Sequence, residues 1–165
     1  MGIFFHDSYC GLYCGACEIL NLFRASEENG QMPLWDDLPG PLRDNIGKAD
    51  IICRGCCSDT VFAGCAGCKV RECARERGVK ACVECRDFPC QRVEALRALI
   101  PGVRGKLPHT ASIFGDAETA KNLGYEAWAE AQRARWHCRA CGAPFTWYQD
   151  RCRVCGTDLK PARGY

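Results

Sequence analysis

No stretch of this 165-residue sequence is apolar for long enough to cross a bilayer, which argues against a membrane-spanning chain. The opening MGIFFHDSYC lacks both a basic n-region and the apolar stretch of about 7–15 residues that a secretory leader requires. His6 stands where a myristoylation signal carries Ser or Thr. These absences lead us to expect a cytoplasmic protein in a reducing compartment, without a membrane partner. There is no Walker loop, no G-x-S-x-G elbow and no H-E-x-x-H helix, which removes P-loop nucleotide hydrolysis, α/β-hydrolase chemistry and zincin-type proteolysis. The βαβ setting of a thioredoxin-type redox pair is also missing. Aliphatic residues are too few for an ordinary core, and cysteine inflates the apolar fraction.

What the chain has instead is sixteen cysteines. Six C-x2-C pairs run through it: Cys14/Cys17, Cys53/Cys56, Cys65/Cys68, Cys82/Cys85, Cys138/Cys141 and Cys152/Cys155. A turn of this length points two sulfurs at one metal ion. With Cys10, Cys57, Cys73 and Cys90 the count divides into four tetrahedral four-thiolate sites, so about four Zn2+ ions are expected. In a reducing compartment clustered cysteines are more often ligands than disulfides. The formal charge of +2 is misleading, because deprotonating these thiols around four zinc ions shifts the molecule to roughly −6.

Cysteine density divides the chain into a multi-metal region (1–90), a cysteine-free helical connector that packs on it (91–137), and a zinc ribbon with its tail (138–165). Within the first region CAGCKVREC and CVECRDFPC repeat the pattern C-x2-C-x4-C seventeen residues apart. Two similar units are expected, each supplying three ligands and borrowing a fourth. Helices are predicted after the first cysteines, where Ile19, Leu20, Leu22 and Phe23 precede Gly30, and over VRECARERG, ending at Gly78. QMPLWDDLPGP is predicted as loop. QRVEALRALI is predicted as a helix that stops before Pro101, Asp116 as the cap of a helix ending at Gly124, and Tyr125 as the start of another, with Trp128 and Gln132 on its face. These aromatics are read chiefly as packing.

The C-terminal CRACG and CRVCG, with ten residues between Cys141 and Cys152, carry the pattern of a zinc ribbon, with Gly142 and Gly156 completing each knuckle and avoiding a Cβ clash. Phe145, Trp147 and Tyr148 are expected on its β-hairpin. Four protein ligands leave no open coordination position, so the site is structural, with rubredoxin-like iron as the alternative. Arg135, Trp136, Arg139, Trp147, Tyr148, Arg151 and Arg153 form the candidate contact face for a protein or nucleic acid, against the simpler reading of a solvated face over a small core. Cys10-x3-Cys14-x2-Cys17 has the spacing of radical S-adenosylmethionine enzymes, but the alternating barrel of those enzymes is absent. A bound iron–sulfur cluster without radical chemistry remains an alternative for the N-terminal region.

The segments CGLYCGACEIL, CRGC, CAGCKVRECARERGV, CVECRDFPC, EAWAEAQRARWHCRACG and WYQDRCRVCG together resemble an uncharacterised cysteine-rich prokaryotic family, catalogued as a domain of unknown function. The resemblance implies zinc binding and supplies no reaction. Its pattern falls on Cys10, Cys14, Cys17, Cys53, Cys56, Cys65, Cys68, Cys73, Cys82, Cys85 and Cys90, with an appended ribbon on Cys138, Cys141, Cys152 and Cys155. Cys57 falls outside it. If Cys57 is not a ligand, one site uses His6, another side chain or water, or two sites share a thiolate.

The expected fold is a small metal-stabilised α+β protein: an irregular α-rich domain with zinc knuckles, a helical connector and a β zinc ribbon. The expected function is that of a non-enzymatic interaction or adaptor module. Iron–sulfur electron transfer or redox sensing is the second reading, and metal storage or delivery the third.

Overall fold

The structure is a computed structural model describing residues 2–115 and 117–165, with residues 117–119 described by their backbone only. Among these residues it is built from short helices and turns. The eight α-helices are α1 (Glu18–Asn29), α2 (Gly40–Arg43), α3 (Ala63–Ala66), α4 (Lys69–Arg77), α5 (Gln91–Arg104), α6 (Ala117–Leu123), α7 (Tyr125–Arg135) and α8 (Lys160–Arg163). None of the helices is long and apolar enough to cross a membrane.

The apolar periodicity of α1 buries Ile19, Leu20 and Phe23, and Gly30 ends the helix in the left-handed conformation, its N–H bonded to the Ser26 carbonyl. Gly78 ends α4 in the same way. α5 departs from expectation by running through Pro101 to Arg104. Pro101 leaves the Arg97 carbonyl without an intrahelical donor, and this end of the helix tolerates it because Arg97 is only half-buried and Pro101 and the residues after it are exposed. α6 does end before Gly124, but Asp116, expected as its cap, lies outside the described residues. The proline-rich loop after α1 tightens into single turns at Trp35–Asp37 and α2.

Packing is divided among small clusters. Ile19, Leu38, Leu42, Ile51, Cys53 and Phe62 form one, beneath α1. Tyr9, Val70, Ala74, Cys82, Val93 and Phe114 form a second, between α4 and α5. Trp128, fully buried on α7, packs with Ala120 and Ala129 in a third. The fourth joins the chain's two ends: Tyr13 and Ala16 are buried with Trp136, Phe145, Trp147 and Leu159. A hydrogen bond from Trp147 N–H to the Ala16 carbonyl (2.9 Å) and another from Tyr148 N–H to the Glu18 carboxylate (2.6 Å) reinforce this junction.

The C-terminal segment differs from the expected β-ribbon. Among the described residues it contains two isolated antiparallel bridges, His137 with Pro144 and Arg151 with Asp158, rather than paired strands. The ten residues between Cys141 and Cys152 are occupied by turns and by the burial of Phe145 and Trp147, which point into the shared core instead of extending a ladder.

Candidate metal centres

The two C-terminal knuckles are matched turns. Gly142 N–H bonds the Cys138 carbonyl (2.7 Å) and Gly156 N–H bonds the Cys152 carbonyl (2.9 Å), with φ of 73° and 75° at the two glycines. A Cβ at either glycine would meet nothing within 4 Å, so the requirement is torsional and not the steric clash anticipated from the motif. The turns bring the Sγ atoms of Cys138, Cys141, Cys152 and Cys155 within 4.8 Å of one another. Cys138 and Cys155 are 3.6 Å apart, and Cys141 and Cys152 3.5 Å. A tetrahedral ion with metal–sulfur bonds of about 2.3 Å requires sulfur–sulfur edges of about 3.8 Å, so this set fits one ion. The Thr157 hydroxyl, 3.1 Å from the Cys155 sulfur, helps hold that thiol down to about 6, favouring the thiolate a metal needs.

The other twelve cysteines divide unequally. Cys10, Cys14, Cys17, Cys53, Cys56, Cys65 and Cys68 line one chamber of about 210 Å3. Burial pushes the thiols of Cys10, Cys14 and Cys17 upward. Cys73, Cys82, Cys85 and Cys90 surround a separate void of about 20 Å3, where the Arg77 guanidinium lies 3.2 Å from the Cys85 sulfur. The repeat is therefore used asymmetrically. Its second unit keeps its three cysteines together and takes Cys73 from the first, whose Cys65 and Cys68 turn to the chamber. Cys57 stands apart from both sets. It lines an open cleft of about 500 Å3 with Asp7, Tyr9 and Tyr125, and its Sγ bonds the Asp7 carbonyl (3.6 Å). His6 lines this cleft too, outside the chamber.

DUF3795, a family of proteins of unknown function, matches residues 6–95, more than half of the chain. The chain belongs to this family. The DUF3795 match spans the seven chamber cysteines, the Cys73 set and Cys57, and it ends within α5, before the C-terminal knuckles. No curated protein and no solved structure matches the chain. Membership in DUF3795 thus agrees with the cysteine pattern and brings no reaction with it.

Two residues beside these centres were not singled out from the sequence. Glu18 is buried beside the C-terminal segment, where desolvation raises its carboxyl to about 7 although Tyr148 N–H donates to it. His109 stacks on Trp147 at 4.3 Å and 5°, and its Nδ1 meets the Tyr148 hydroxyl at 2.5 Å. Burial lowers His109 to about 4. Neither residue belongs to a motif. Each is meaningful only because the C-terminal segment folds back over the first helix.

Proposed function

We propose that this chain is a non-enzymatic zinc–thiolate protein whose C-terminal centre is structural and whose exposed basic edge contacts a partner. The observation that carries this reading is the closure of Cys138, Cys141, Cys152 and Cys155 to the edge lengths of one tetrahedral ion. Four thiolates saturate zinc and leave no position for a substrate or an activated water. The Cys73, Cys82, Cys85 and Cys90 set surrounds a void of about 20 Å3 and is the candidate for a second four-thiolate zinc site, although among the described residues no three of its sulfurs lie within 4.8 Å of one another, so the side chains must draw together around the ion.

The contact face is narrower than the sequence suggested. Trp136 and Trp147 are buried, Tyr148 bonds His109, and Arg135 donates to the Arg163 carbonyl at 2.5 Å. Arg139, Arg151 and Arg153 remain at the surface beside the exposed Val154. The partner is therefore recognised by charge rather than by stacked aromatic rings, which fits an acidic protein segment or a phosphate backbone.

Elemental analysis of protein purified without oxygen or affinity-column metals tests the zinc assignment. Cys152→Ser is expected to lower zinc by one ion per chain. An unchanged zinc content in that variant would refute the C-terminal site. In any complex isolated, replacing Arg139, Arg151 and Arg153 together by Ala is expected to reduce affinity and flatten its salt dependence, and identical salt slopes would refute the basic contact edge. An iron–sulfur redox role is the second reading, favoured by the size of the seven-cysteine chamber.

A further inference from the structure

The chamber and the C-terminal site differ in kind. At the C-terminus four sulfurs already stand close enough for a single ion. In the chamber, seven cysteines share a space of about 210 Å3, roughly ten times the void inside the Cys73 set. Among the described residues no three sulfurs of the chamber, or of the Cys73 set, lie within 4.8 Å of one another, so the size of the enclosed space is what separates the two. One tetrahedral ion draws its sulfurs to edges of about 3.8 Å and leaves most of such a chamber unfilled.

The walls speak against water as the filling. Leu12, Leu20, Phe62, Leu96, Ile113 and Trp147 supply the surface between the cysteines, and buried water requires two to four polar partners. No Lys or Arg lines the chamber among the described residues. Two zinc ions ligated by all seven thiolates would leave a net charge of about −3 against this apolar wall, where uncompensated charge is costly.

We propose that the seven-cysteine chamber houses a [4Fe–4S] cluster, held by Cys10, Cys14 and Cys17 from one loop and by a fourth thiolate from the facing Cys53/Cys56 or Cys65/Cys68 pair. Cys10, Cys14 and Cys17 lie on one short segment that enters the 3-10 turn Cys14–Ala16 and then α1. The Cys53/Cys56 and Cys65/Cys68 pairs, which precede and follow Phe62 in the sequence, line the same chamber, and Cys65 is exposed. A cubane separates its thiolates by placing each on a different iron, and its own sulfides fill an interior roughly ten times the size of the void in the Cys73 set. Four thiolates are sufficient, so the buried charge is about −2 and the other three cysteines serve as neutral thiol wall. Assembly balances without an added oxidant: two ferrous ions, two ferric ions and four sulfides form the [4Fe–4S]2+ core as four thiols release their protons. The cluster would neighbour the zinc sites without using their ligands.

This inference extends the metal–thiolate reading and is separable from it. The full chain is expressed without oxygen, loaded with equal ferrous and ferric iron plus sulfide, desalted, and assayed for iron, acid-labile sulfide and zinc, with Mössbauer spectra to identify the iron. About four irons, about four sulfides and about two zincs per chain are expected. Cys14→Ser should reduce iron and sulfide several-fold while zinc stays near two, and Cys57→Ser should leave all three unchanged. Wild-type protein that retains no iron and sulfide would overturn the cluster, whether the chamber then takes up extra zinc or no metal at all. Iron lost equally from Cys57→Ser would overturn its location. Should Cys14→Ser fail to fold, the wild-type stoichiometry and Mössbauer spectrum still decide. Zinc missing from a preparation that holds the cluster would refute the zinc assignment alone.

Discussion

Gly55, between Cys53 and Cys56, shows how one residue without a Cβ sets the approach to the chamber. Its φ is 103°, and a Cβ there would fall 1.9 Å from the Phe5 carbonyl oxygen, because the N-terminal segment runs beside it with Phe5 N–H bonded to the Arg54 carbonyl (2.8 Å). Gly55→Ala combines torsional strain with a backbone collision. It should destabilise the protein by on the order of 1–3 kcal/mol and lower metal retention at the chamber. Denaturant titration beside Gly67→Ala checks this, since a Cβ at Gly67 meets nothing within 4 Å and φ there is −84°. Equal stabilities would remove the close approach as a cause. The knuckle glycines are a milder case. Gly142→Ala costs about 1–2 kcal/mol through its positive φ alone and should loosen the C-terminal ion without displacing a neighbour. A faster transfer of zinc to a competing chelator is the expected signature.

At the scale of elements, the stack between the turn Pro108–Ser112 and the C-terminal segment carries a pH dependence. His109, buried against Trp147, has a folded value near 4 against an ordinary 6.5. Its folded value is depressed, so the unfolded chain takes up the proton first as pH falls. The stability associated with neutral His109 is full above about 6.5 and is lost progressively down to about 4, to a total on the order of 3 kcal/mol. In a titration of the metal-loaded protein from about pH 7.5 to about 5, the His109 ring resonances should keep their neutral-imidazole positions. A midpoint near 6.5 would show that the stack is open in solution. Helix α5 was readable up to Pro101 and not beyond, because the rule that proline ends a helix weakens in an exposed last turn, where the Arg97 carbonyl that Pro101 leaves unbonded is only half-buried. The ribbon was over-read in the other direction. Its knuckles follow from local spacing, but whether the segment between them pairs as strands depends on where Phe145 and Trp147 are buried, and they are buried against Tyr13 and Ala16.

For the molecule as a whole, that shared core ties the C-terminal site to the family-matched region. Residues from positions 13 to 16 and from 136 to 159 occupy one cluster, and Trp147 also walls the chamber. Removing metal with a strong chelator should therefore unfold both ends together. A structural zinc site is worth roughly 10 to 16 kcal/mol of apparent binding free energy in isolated fingers, and the small clusters here do not replace that. Circular dichroism in the far-UV and tryptophan fluorescence should lose their native signals at the same chelator concentration. Two separated transitions would mean that the C-terminal segment folds independently of the rest.

Taken alone, the amino-acid sequence determined much of the local structure: the C-x2-C turns, two of which gather a four-cysteine set that could hold a metal, helices α1 and α4 with their left-handed glycine ends, and the face of α7 that buries Trp128. These follow from interactions within a few residues, which spacing and periodicity record. The tertiary structure alone decided the partition of the cysteines into seven, four, four and one in place of four equal sets. Every C-x2-C turn presents its sulfurs in much the same way, so the grouping depends on the path by which the chain brings distant turns together. The same path places Trp147, Leu96 and Ile113 around the chamber. Long-range packing, which leaves no period in the sequence, makes that enclosure.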